Sequence, residues 1–127
     1  MSDVALYEAW AELLGWMRRY AEEKGVRFVV EGNFPEAIYR LTKPYPWPTR
    51  IMSASLAYPE NEERFFFAYV SEPHAEDRHI GIRLMKSLKH LHLHLGAEGL
   101  ELEGRPFTEL RFERLADRAF ATLKPVG

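Results

Sequence analysis

The chain has 127 residues, 17 Lys and Arg against 19 Asp and Glu, and a net charge of −2. That size fits one domain, and the absence of Cys excludes disulfides, thiolate zinc sites, Cys-held iron–sulfur clusters and a Cys nucleophile. The near-neutral total argues against a whole-domain nucleic-acid binder, and no apolar run is long enough to span a membrane.

Gln is absent and Asn occurs only at Asn33 and Asn61. Depletion of thermolabile side chains beside abundant Glu and Arg is a hyperthermophile-like bias. The N-terminus lacks the basic region of an export signal, so a cytoplasmic protein is expected.

The first element is an amphipathic helix over residues 3–24. Leu6, Trp10, Leu13, Met17 and Tyr20 fall on one stripe at 100° per residue, and Leu14, Trp16 and Ala21 widen it. Lys24 and Gly25 end it. The stripe is broader than one packing face needs, which raises a homodimer as a candidate assembly.

Four strand-like runs follow, at 26–31, 37–42, 50–58 and 64–71, separated by turn signals such as Gly32-Asn33 and Pro59-Glu60-Asn61-Glu62. The short links predict an antiparallel meander. The run 64–71 is apolar on both faces, with Phe65, Phe67 and Tyr69 opposite Phe66, Ala68 and Val70. Such a strand belongs in the middle of a sheet or under cover on both sides.

Residues 76–95 carry two periods at once. Ile80, Leu84, Leu88, Leu91 and Leu95 fit a helical stripe, while Leu91, Leu93 and Leu95 alternate with His90, His92 and His94 as in a strand. A turn at 96–99 sets Leu95 opposite Leu100, Leu93 opposite Leu102, His94 opposite Glu101 and His92 opposite Glu103. The expectation is therefore a helix over 76–89 followed by a hairpin, with one long helix as the alternative. A last helix is expected over 109–123, capped by Thr108, with Phe112, Ala116, Ala119, Phe120 and Leu123 on one face.

The resulting fold class is α+β: an antiparallel sheet of four to six strands with an N-terminal, a middle and a C-terminal helix packed on it. In element order this resembles the secretion-chaperone-like α+β fold, with one strand more.

The charge map is uneven. Residues 60–77 hold six acids against Arg64 alone, and residues 78–94 hold Arg78, Arg83, Lys86 and Lys89 with no acid. Read functionally, 78–94 is a basic strip for an acidic protein surface or for phosphate. The competing reading pairs it internally with its acidic neighbours. Lys43-Pro44-Tyr45-Pro46-Trp47-Pro48-Thr49-Arg50 forms a second candidate. Its alternating prolines hold an extended backbone that presents Tyr45 and Trp47 between Lys43 and Arg50. Rigid aromatics suit a protein partner or the stacking of unpaired bases, unless they fold back over the core.

His90, His92 and His94 are the third candidate. On a strand their imidazoles share one side, an arrangement able to ligate zinc or nickel together with a carboxylate. A solvated row of His facing Glu is the competing reading. No nucleophile elbow, phosphate loop or dinucleotide fingerprint is present. The expected function is thus a small non-enzymatic interaction module without a cofactor. It would bind a protein through residues 43–50, the strip 78–94, or both. A nucleic-acid binder and a His-ligated metal protein or enzyme are the alternatives.

Overall fold

A computed structural model describes residues 3–33, 51–60, 62–71, 79–84, 89–97 and 99–123. Helix α1 runs Asp3–Lys24 and ends at Gly25, whose φ of 70° takes the left-handed conformation that stops a helix. The Val26 N–H then donates back to the Ala21 carbonyl at 3.1 Å. Seven strands follow: β1 Arg27–Asn33, β2 Ile51–Ala57, β3 Arg64–Ser71, β4 His79–Leu84, β5 Lys89–Gly96, β6 Gly99–Leu102 and β7 Arg105–Pro106. Helix α2, Glu109–Leu123, closes the order. The strands pair antiparallel in sequence order, so the expected meander is present and extends to seven strands. The expected strand at 37–42 lies outside the described residues.

The architecture corrects two parts of the expected fold: the sheet is larger than four to six strands, and the described helices are two rather than three. The described residues of the expected middle helix are β4 and the first residue of β5. Ile80, Ile82 and Leu84 alternate toward the core, and β4 pairs with β3 on one side and β5 on the other. Spacings of four, as from Ile80 to Leu84 and from Leu91 to Leu95, are even and so fit a period of two as well. The sheet decides between the periods, because it satisfies the backbone groups of β4 on both flanks. The likeness to the secretion-chaperone-like order lapses with that helix. The expected hairpin is present: Leu95 faces Leu100 and His94 faces Glu101.

Both helices cover one face of the sheet. Trp10, Leu13, Leu14 and Met17 of α1 are fully buried with Leu56, Phe66, Ala68, Ile80, Ile82 and Leu93 beneath. The width of the α1 stripe has an internal use. Trp16 packs on Phe107 and Phe112 at ring distances of 6.0 and 6.2 Å, so that flank meets α2 and its leading segment. The breadth that suggested a homodimer is therefore filled within the chain.

Phe112 is the hub of this layer, edge-on to Tyr20 at 5.7 Å and to Phe66 at 5.3 Å. A β-bulge between Leu56 and Ala57 leaves Phe65 without a partner in β2. The bulge removes Phe65 from the Phe67 and Tyr69 face, where strict alternation would place it. Phe65 instead packs on Tyr58 at 5.1 Å and Phe120 at 5.2 Å.

The helices are also joined by charge. Arg19 holds Glu109 with two bonds of 2.9 and 3.0 Å. The Tyr20 hydroxyl donates to Asp117 at 2.7 Å. Thr108 Oγ1 accepts from the Arg111 N–H at 3.3 Å, the cap that the sequence suggested.

Two measurements test this packing. Phe112→Ala empties the hub and is expected to lower unfolding free energy by about 3–5 kcal/mol in denaturant titration; an unchanged midpoint would contradict it. Burial, then the bond to Asp117, raise the Tyr20 phenol well above its usual value of 10.0. The fold thus favours the neutral phenol, and its contribution is intact below about pH 10 and lost as pH rises beyond. Tyr20→Phe removes the bond at a cost of about 1 kcal/mol at neutral pH and flattens the alkaline loss of stability.

Candidate functional site

The other face of the sheet carries a row of rings. Strand alternation sends Phe67 and Tyr69 of β3, His79, Gly81 and Arg83 of β4, and His90, His92 and His94 of β5 away from the helices. Register then sets Tyr69 opposite Gly81 and Gly81 opposite His92. Phe67 stacks on Tyr69 at 5.7 Å, and Tyr69 meets His90 at 5.7 Å with its hydroxyl bonded to His90 Nε2. His90 is edge-on to His92 at 4.9 Å, and His92 lies 4.2 Å from His79. His94 closes the row, 6.2 Å from His79 and 6.4 Å from His92.

Gly81 makes the row possible. A Cβ there would fall 2.1 Å from Tyr69 Cζ, so only glycine lets the phenol lie flat across β4. Burial raises the Tyr69 pKa, and the nearby Arg83 works against that shift. His79 is buried beneath its neighbours, whereas Arg83, His90, His92 and His94 are exposed. Opposite Phe67, Ser55 is fully buried, and its Oγ has no hydrogen-bond partner among the described residues. The face is thus aromatic at one side, imidazole-rich at the other, and only half covered.

The sequence candidates map onto this face unequally. His90, His92 and His94 do share one side, as a strand requires. Among the described residues, however, no group of three or more His, Asp or Glu is arranged to hold a metal ion. The facing carboxylates are also elsewhere. Glu101 lies over Gly96, where a Cβ would meet its Oε2 at 1.9 Å, and Glu103 sits in the β6–β7 turn with a φ of 55°. Of the basic strip, Arg83 stands between Phe67 and His90. The side chains of Arg78, Lys86 and Lys89 lie outside the described residues, as does the whole of 43–50 with Lys43, Tyr45, Trp47 and Arg50.

Two groups escape a reading of the sequence by period alone. Alternation places Tyr69 but does not join it to the His run, because a non-local register brings them together. Arg111, Arg114 and Arg118 of α2, with Arg105, line a cleft on another side of the molecule. Their spacing on one helix face is a readable signal.

Residues 1–123 match the family described as NADH-quinone oxidoreductase chain 15. The chain belongs to this family. It is also 50% identical over 119 residues to the NADH-quinone oxidoreductase subunit 15 of Thermus thermophilus, an alignment covering 93% of this chain and 92% of that one. The thermophile-like composition agrees with that source. A free-standing interaction module is therefore the wrong description, because the family and the relative are named for a chain and a subunit of a redox enzyme. Protein partners, rather than nucleic acid, are what this membership supports. No helix among the described residues is long and apolar enough to cross a membrane.

Gly81→Ala tests the geometry of the ring row. The added methyl displaces the Tyr69 ring, breaks its contact with His90 and lets its phenol titrate closer to its ordinary value of 10.0. Ultraviolet titration, with Tyr69→Phe as the reference, reads this directly. An unaltered Tyr69 titration in the Gly81→Ala protein would show that the ring does not lie on Gly81.

Proposed function

We propose that the chain is a non-catalytic subunit of an NADH-quinone oxidoreductase, attached to the rest of the enzyme through the ring-bearing face of its sheet. The observation that carries the reading is the family match over residues 1–123, joined to a fold in which both described helices cover the same sheet face. Lack of Cys supports a role outside electron transfer, because iron–sulfur clusters are held chiefly by Cys thiolates. The missing dinucleotide and phosphate-loop motifs likewise favour a chain that does not itself bind NADH.

The half-covered face has the composition of a contact surface. Phe67, Tyr69 and the imidazoles present flat rings that lose little rotamer freedom when covered. Arg83 adds a guanidinium at the edge of that row. The attachment point is a part of the enzyme in the cytoplasm rather than in lipid, in keeping with the two amphipathic helices.

The test is made on enzyme isolated from cells of the source organism. Tyr69→Ala paired with His90→Ala is expected to weaken attachment by about 2 kcal/mol or more, leaving the subunit depleted in the isolated enzyme. NADH oxidation by the remaining subunits persists. Thermal unfolding of the variant chain confirms that it still folds. Full occupancy by the variant would overturn the assigned face, and loss of NADH oxidation on removing the chain would overturn its non-catalytic role.

A further inference from the structure

The two long sides of α2 carry opposite charge. Glu109, Glu113 and Asp117 recur every fourth residue on the side toward α1, where Arg19, Tyr20 and Lys24 meet the first and last of them. Arg111, Arg114 and Arg118 recur at i, i+3 and i+7 on the other side. That side opens on a cleft of about 330 Å³ whose further wall is the β6–β7 hairpin, with Arg105 and Glu103. Leu91, Leu102 and Leu115 supply its apolar lining. Among the described residues, four arginines and one carboxylate, Glu103, therefore line one half-open cleft with leucines at its base.

The guanidinium nearest the hairpin is held in place. Arg111 Nη1 donates to the carbonyls of Arg105 and Pro106 at 3.1 and 2.6 Å, and its guanidinium stands 5.8 Å from the Phe107 ring centre. Arg114 and Arg118 are exposed at the rim. From Arg111 to Arg118 the helix rises about 10.5 Å. The positive charge is thus a row two turns long, not a single focus.

We propose that this cleft docks an acidic segment of a neighbouring subunit: an extended stretch with at least two Asp or Glu, and an apolar side chain that enters between the arginines. The inference rests on the reading of the chain as a subunit, and gives it a second contact remote from the ring-bearing face. Charge complementarity selects the occupant. Guanidiniums pair with carboxylates in a bidentate fork, and a row of them matches carboxylates distributed along a chain better than one compact phosphate. The leucines reward an apolar neighbour, which a free inorganic anion does not bring.

The test uses the enzyme purified from cells carrying either the wild-type chain or Arg114→Glu with Arg118→Glu. Immobilised enzyme is washed with rising salt, and release of the chain is followed by mass spectrometry. The variant is expected to leave at about half the salt concentration that releases the wild type, because attraction has become repulsion at the rim. Arg18→Glu, on the exposed side of α1, is expected to leave release unchanged. Should the double variant fail to fold, Arg114→Glu alone carries the same test with a smaller shift. Identical release of wild type and a folded variant would overturn the cleft proposal while leaving the subunit reading intact. A wild-type chain that never co-purifies would overturn both. Thermal stabilisation of the isolated chain by millimolar pyrophosphate, lost in the variant and without any change in release, would assign the cleft to a small anion and likewise overturn it.

Discussion

The contact of Phe112 with Trp16, Tyr20 and Phe66 is the junction on which the molecule depends. One ring from α2 touches α1 and the centre of the sheet together. Both helices are thereby committed to the same face. The ion pairs of Arg19 with Glu109 and of Lys24 with Asp117 follow this arrangement, since exposed pairs alone contribute little. Neither described helix reaches the opposite face, and a wide antiparallel sheet whose second face is only half covered needs either polar side chains or a partner there. Here that face carries Phe67, Tyr69 and a row of imidazoles.

Polarity is repeated at two levels of the structure. The sheet has a packed face and a half-covered face. Helix α2 has an acidic side that joins it to α1 and an arginine side that borders the cleft by the β6–β7 hairpin. The half-covered sheet face and the arginine side of α2 both present planar groups, rings on one and guanidiniums on the other. A subunit that has to hold on to larger neighbours gains from two such contacts, because the second forms at high effective concentration once the first is made.

Much of this is legible in the chain. Helix α1, strands β2 and β3, the β5–β6 hairpin and α2 with its Thr108 cap all follow from period and punctuation. The stretch 76–89 misleads because the four-residue spacing of Ile80 and Leu84 fits both a helix and a strand, and only pairing with β3 and β5 resolves the two. Phe65 misleads because a bulge is a one-residue slip that leaves no local mark. The His row is visible as alternation, but its union with Tyr69 over Gly81 depends on the register of β3, β4 and β5. The arginines of α2 are within reach of the helical period and are missed when that period is applied to apolar residues alone. Membership in the oxidoreductase family is not legible in the sequence, because none of the motifs sought there marks it.

The central claim is that the ring-bearing face is buried against other subunits of the enzyme. Diethylpyrocarbonate modification of His90, His92 and His94, compared by mass spectrometry between the isolated chain and the intact NADH-quinone oxidoreductase, tests it most directly. The account predicts ready modification in the isolated chain and strong protection in the enzyme. Equal modification of the three histidines in both would contradict it.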